Sequence, residues 1–170
     1  MHNIPIGENF PESFNVVIEI PAHSRNKYEF DEGLGTIKLD RVNYAAMAHP
    51  YDYGFIPQTR SEDGDHLDAM LFGTTVFPGC VVEARPIALL NKVDDGEVDK
   101  MVLCVPVEDI KSGHITSLDD INDHIPIEIA HFFERYKELK HKTVEIVGWE
   151  DAAAAKAEVR RAYEAEQARN

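Results

Sequence analysis

Glu62-Asp63-Gly64-Asp65-His66-Leu67-Asp68 puts three aspartates within six residues, with a glycine between the first two, and runs straight into the apolar stretch Ala69-Met70-Leu71-Phe72. Like charges this close repel and raise each other's pKa, and a hard divalent cation removes the conflict. Oxygen ligands suit Mg²⁺, Mn²⁺ or Ca²⁺ better than Zn²⁺. A calcium loop starting at Asp63 would need a glycine at its sixth position and an acid at its twelfth. Those positions hold Asp68 and Thr74, so that reading fails. A solvated acidic loop is the plainer alternative. Against it, Asp68 enters a strand-like run, which anchors one carboxylate on a rigid element.

Upstream of this stretch the pattern is that of short strands. Phe14 to Ile20 alternates into a strand stopped by Pro21, and Glu19 points to the face opposite Ile18 and Ile20. Asn26 to Phe30 and Gly35 to Arg41 form a hairpin across Asp31-Glu32-Gly33, with Lys27 and Glu29 sharing one face. Residues 42–60 are rich in aromatics and turns, a composition that fills a core or rims a pocket, and Gly54 lets a ligand approach Tyr53. Residues 1–13, with Pro5, Gly7 and Pro11, are an irregular arm.

Downstream, Cys80 to Leu90 reads as a long strand that Pro86 turns into an edge or a bulge. Asp94-Asp95-Gly96-Glu97-Val98-Asp99-Lys100 is a second acidic turn, and Met101 to Val105 the strand after it. From Ser117 the period lengthens to that of a helix. Ser117 and Asp123 are candidate caps, and Ile125, Ile129, Phe132, Phe133 and Tyr136 form one apolar stripe with Lys137 at its end. Tyr136 therefore carries a polar hydroxyl on the buried side. Thr143 to Trp149 is a last strand, and Asp151 caps an alanine-rich helix. This order predicts an α+β fold: a five-stranded Greek-key, OB-like β-barrel flanked by two α-helices.

Composition narrows the function. At 170 residues a single domain spanning 1–170 is expected, and 44% hydrophobic residues suffice for a core. The net charge of −14 argues against a nucleic-acid groove. Any phosphate-bearing substrate must then be met by metal ions or by placed lysines and arginines. The two cysteines, Cys80 and Cys104, sit in apolar runs and are expected as buried free thiols in a reducing compartment. Neither a signal peptide nor a run of roughly 18 apolar residues is evident, which predicts a cytoplasmic protein without a membrane partner.

These motifs together resemble family I inorganic pyrophosphatases in their short bacterial form. Asp63-Gly64-Asp65-His66-Leu67-Asp68 matches the family signature D-G-D-x-x-D. Val17-Ile18-Glu19-Ile20-Pro21, Lys27-Tyr28-Glu29, Asp40-Arg41, Asp52-Tyr53-Gly54-Phe55 and the segment His131 to Lys137 support it in order. The resemblance implies hydrolysis of pyrophosphate to two orthophosphates by a multi-Mg²⁺ site, with three to four Mg²⁺ and Mn²⁺ or Zn²⁺ as substitutes. It implies Glu19, Asp63, Asp68, Asp94 and Asp99 as metal ligands, Asp65 as general base, and Lys27, Arg41, Tyr53, Tyr136 and Lys137 on phosphate oxygens. Glu29 would hold a metal-bound water. A homohexamer is also implied.

Two positions depart from the family pattern. His66 replaces a proline, and its plainest reading is an exposed side chain. After Asp99 the family has lysine two residues on, where this chain has Met101; Lys100 is shifted by one residue, which in a strand turns it to the other face. Lys100 is nevertheless expected to reach the site through a local bulge. Asp95 rivals Asp94 as a ligand. Two readings from other classes stay open here: an OB-like nucleic-acid-binding module, and an acidic metal-binding protein without catalysis.

Overall fold

The computed structural model describes residues 4–31 and 33–169. Residues 1–3 of the expected arm and Glu32 of the expected turn lie outside these. Residues 4–13 run without helix or strand. Eight strands and two helices follow: β1 (Phe14–Ile20), β2 (Asn26–Asp31), β3 (Thr36–Val42), β4 (Asp52–Ile56), β5 (Leu67–Leu71), β6 (Val81–Asp94), β7 (Glu97–Pro106), α1 (His124–Arg135), β8 (Val144–Asp151) and α2 (Ala152–Gln167).

The expected five-stranded Greek-key barrel is corrected by the strand pairing. Six strands form one mixed sheet in the order β1-β4-β5-β7-β6-β8, β1 also pairs with the start of β6, and β2 and β3 form a separate two-stranded ribbon. β5 and β7 run parallel, Asp68 opposite Met101. The cause is β6. At fourteen residues it is long enough to pair with β1 near its start, with β7 along most of its length, and with β8 over its second half. It continues to Asp94 rather than ending near Leu90, and the register shift between Pro86 and Ala88 is the bulge that the proline foretold.

Alternation along each strand sends side chains to two apolar clusters. Leu67, Ala69 and Leu71 of β5, with Val102 and Cys104 of β7, pack with Ala155, Val159 and Ala162 of α2. Met70 of β5, with Met101, Leu103 and Val105 of β7, packs with Ile129, Phe132 and Phe133 of α1. The two helices therefore cover opposite faces. Asp68 and Asp99 share parity with the α1 side, and Lys100 with the α2 side.

Local chemistry sets the ends of these elements. Asp151 caps α2, accepting the Ala154 N–H at 2.9 Å. Asp123 has helical backbone and no capping bond; Asn122 Oδ1 accepts the His124 N–H at 2.9 Å instead. Ser117 starts a short 3-10 turn, Leu118–Asp120, upstream of α1. Asp95 and Gly96, both at positive φ (54° and 93°), make the tight two-residue turn from β6 to β7. Cys104 is buried as expected, but Cys80 is exposed, because it falls in the turn before β6 rather than in the strand. No helix among the described residues is long and apolar enough to cross a membrane.

Candidate active site

A cavity of about 450 Å³ opens between the α1 side of the sheet, the end of α1 and the β2–β3 ribbon. Among the described residues, seven carboxylates line it: Glu19, Glu29, Asp63, Asp65, Asp68, Asp94 and Asp99. Three lysines face them, Lys27, Lys92 and Lys137, together with Tyr53, Tyr136, Phe55 and Phe133. Segments far apart in the chain meet here because β1, β4, β5, β6 and β7 are neighbours in one sheet.

Every lysine in the cavity is paired with a carboxylate. Lys27 pairs with Glu29, Lys92 with Asp99 and Lys137 with Asp94. The Tyr53 hydroxyl donates to Asp68 Oδ2. Glu19 Oε1 accepts the Phe30 N–H at 2.7 Å, tying β1 to the ribbon. Asp63 Oδ1 accepts the Asp65 N–H at 3.0 Å, folding the acidic loop on itself.

Burial sets the electrostatics. It pushes Glu19 up to about 7. It also pushes Asp68 up to about 7, with the nearby charge of Asp99 adding to the rise and Lys92 opposing it. Burial and the adjacent carboxylates, Asp68 for Tyr53 and Asp94 for Tyr136, raise both phenols, so each remains a hydroxyl donor at neutral pH.

Eleven of the thirteen residues that the sequence pointed to line this cavity, and two do not. Arg41 lies on β3 opposite Lys27 and pairs with Asp40, beside the cavity rather than in its lining. Lys100 is turned away: its Nζ lies 2.8 Å from Glu158 Oε2 on α2, beside Ser61 and Arg161. No bulge intervenes between Asp99 and Met101 in β7, so the strand alternation carries Lys100 to the α2 side, and the expectation that it reaches the carboxylates is overturned. Asp95, the rival of Asp94, is exposed and pairs with Lys142 at 2.8 Å. His66 stacks on Phe55 at 4.9 Å and contacts the Thr59 carbonyl through Nδ1 at 2.9 Å, so it is half-buried rather than exposed.

Lys92 is the residue that sequence reasoning missed. A two-residue turn at Asp95-Gly96 sets Asp94 opposite Glu97 and hence Lys92 opposite Asp99. That register follows from the turn alone, so the signal was present in the sequence.

Carboxylates and lysines gathered in one cavity suit divalent cations and the anions that travel with them. A profile described as inorganic pyrophosphatase matches residues 16–167. The inorganic pyrophosphatase of Synechocystis sp. is 50% identical over 141 residues, covering 82% of this chain and 83% of that protein. The crystal structure of the Thermus thermophilus inorganic pyrophosphatase superposes with a TM-score of 0.93 at 45% identity, covering 96% of this chain and 97% of that one. The Helicobacter pylori enzyme superposes with a TM-score of 0.90 at 35% identity over 97% of this chain and 99% of that one. The chain belongs to the family I inorganic pyrophosphatases and is a hydrolase.

Family membership implies a divalent-cation-dependent mechanism. The cavity's donors fit such ions. They are carboxylate oxygens, the ligand type of Mg²⁺ and Mn²⁺. Asp94 Oδ1 is buried with no hydrogen-bond partner, which is costly unless something positive meets it. Among the described residues no three carboxylate, imidazole or thiol groups converge closely enough to hold an ion between them. The lysines and Tyr53 hold the carboxylates Asp94, Asp99 and Asp68 instead.

Proposed function

We propose that this chain hydrolyses inorganic pyrophosphate to two orthophosphates in the acidic cavity, with three to four Mg²⁺ ions and a metal-activated water as nucleophile. The observation that carries the reading is the pairing of cavity lysines with cavity carboxylates, with Asp94 Oδ1 left over. A site so arranged can exchange partners with a cation–polyanion complex, lysines passing to phosphate oxygens and carboxylates to cations.

In this reading Glu19, Asp63, Asp68, Asp94 and Asp99 hold the ions, and Mn²⁺ or Zn²⁺ can substitute. Bound there, the ions would neutralise phosphate charge and lower the pKa of the attacking water. Asp65, exposed at the mouth of the cavity, takes the proton that the water loses. Water oxygen bonds to phosphorus, the bridging P–O bond breaks, and the second phosphate departs. Lys27, Lys137 and Tyr136 hold phosphate oxygens as negative charge gathers on the leaving group, and Arg41 joins them from the rim of the ribbon. Tyr53, which donates to Asp68 before substrate arrives, joins them on a phosphate oxygen when pyrophosphate is seated. Glu29 orients water beside Lys27. Residues 1–170 act as a single domain. A homohexamer in the cytoplasm, with no nucleic-acid or membrane partner, completes the proposal.

The test is phosphate release from pyrophosphate with Mg²⁺, against ATP and against added EDTA, for wild type, Asp65→Asn and Asp68→Asn. Fast, EDTA-sensitive release that both substitutions abolish supports the reading. No release from wild-type protein that still binds Mg²⁺ ends it.

A further inference from the structure

Lys92 is the cavity lysine for which no role follows from the sequence motifs. Its side chain is 2% exposed, paired with Asp99, and its Nζ lies 5.1 Å from the centre of the Phe133 ring. Withdrawing an ammonium group from water is costly, and a buried ion pair is often no more stabilising than apolar groups of the same volume. Apolar packing is available on this wall: Met101, on the same face of β7, is fully buried among the apolar residues beneath α1. Packing therefore does not account for a lysine at 92.

The other cations of the site come from elsewhere. Lys27 projects from the ribbon and Lys137 from the end of α1, while Lys100 of β7 faces α2. On the sheet wall that carries Asp68, Asp94 and Asp99, Lys92 is the single cation among the described lining residues. With Lys27 and Lys137 it encloses the cavity from three sides. The Phe133 face beneath it steadies the ammonium group and excludes water from it.

We propose that Lys92 is a substrate-binding residue, whose ammonium group passes from Asp99 to a phosphate oxygen when pyrophosphate is seated. Carboxylate and phosphate oxygens are both acceptors for a charge-assisted hydrogen bond, so one can replace the other on the ammonium group. Lys92 supplies from β6 a cation to the wall on which Lys100 of β7 is turned away. The assignment rests on the pyrophosphatase reading above.

The test compares wild type with Lys92→Met and Lys92→Arg. Three quantities are read: affinity for imidodiphosphate, a non-hydrolysable pyrophosphate analogue, by calorimetry with Mg²⁺; the thermal midpoint; and phosphate release. Lys92→Met is expected to weaken analogue binding by roughly tenfold to a hundredfold, the loss of one charge-assisted hydrogen bond. Lys92→Arg retains most of the affinity because it keeps the charge at the same position. Unchanged analogue binding by Lys92→Met overturns the assignment. So does an equal loss of affinity in Lys92→Met and Lys92→Arg, which marks a packing role. If Lys92→Met does not fold, Lys92→Gln replaces it with the same two outcomes. Wild type that binds the analogue but releases no phosphate sinks the catalytic reading alone; active wild type with unchanged binding in Lys92→Met sinks the Lys92 assignment alone.

Discussion

Lys100 Nζ lies 2.8 Å from Glu158 Oε2, across the sheet from the acidic cavity. Burial alone pushes the Glu158 carboxyl up, yet hydrogen bonds from Arg161 and Lys100 outweigh it and hold the pKa below the usual range. The pair fastens α2 to β7. Lys100→Met should therefore leave pyrophosphate hydrolysis within about twofold of wild type. It should lower stability by about 1 kcal/mol, since Arg161 still holds Glu158. Parallel kinetics and urea unfolding check this; a loss of activity without loss of stability would contradict it.

Tyr53 fixes one orientation of Asp68 through its hydroxyl. Tyr53→Phe keeps the ring packing against Phe133 and removes only that donor. A fall in kcat/KM of about tenfold is expected, with little change in thermal midpoint. Equal kinetics for the two proteins would remove Tyr53 from the site's machinery.

Glu19 and Asp68 carry raised pKa values, each about 7. The folded chain thus holds protons there that the unfolded chain has already lost, so in EDTA these two groups withdraw stability as pH rises from the ordinary carboxylate range through about 7. On the proposed ligand set, Mg²⁺ competes with those same protons. Its stabilising effect should be larger at about pH 8 than at about pH 5.5. Thermal midpoints with Mg²⁺ and with EDTA at both values measure it, and a shift that does not depend on pH would exclude these two carboxylates as ligands.

His49 works in the opposite sense. Burial depresses it from 6.5 to about 4, against a contact to the Ser24 carbonyl that favours the proton. The unfolded chain therefore takes up a proton first as pH falls, and stability is lost between about 6.5 and about 4. The size of the loss is on the order of 3 kcal/mol, in part offset by Glu19 and Asp68 over the same range. His49→Gln should be less stable at neutral pH but flatter across that window. A profile parallel to wild type would refute the assignment.

Gly54 is required by contact rather than by conformation. A Cβ there would overlap the carbonyl oxygen of Val17 on the paired strand β1. Gly54→Ala should cost more than about 3 kcal/mol, because backbone on both sides leaves nothing free to shift. Guanidinium unfolding gives the value directly.

Much of this was legible in the chain. Alternation located β1, β2 and β3, the proline in β6 announced its bulge, and the ordered motifs picked out most of the cavity's lining. What was not legible depended on pairing over long distances. Nothing in the short run Leu67–Leu71 says that its neighbour is β7 and that the two run parallel. Nothing local to β8 says that it joins the edge of β6. Lys92 and Lys100 differ from these cases. Their faces follow from counting alternate residues back from the Asp95-Gly96 turn, a step the family pattern around Asp99 obscured.

The parallel pairing of β5 and β7 has one more consequence. Asp68 and Asp99 stand on adjacent strands, but the whole of β6 must be laid down between them in the chain. Such contacts are slow to close. Asp63 and Asp65 can gather locally, whereas a site that includes Asp99 exists only once the β6–β7 hairpin has docked on β5. On the proposed ligand set, uptake of divalent ions with full affinity is then a clock for folding: during refolding it should trail the recovery of secondary structure and coincide with the last burial of Met101.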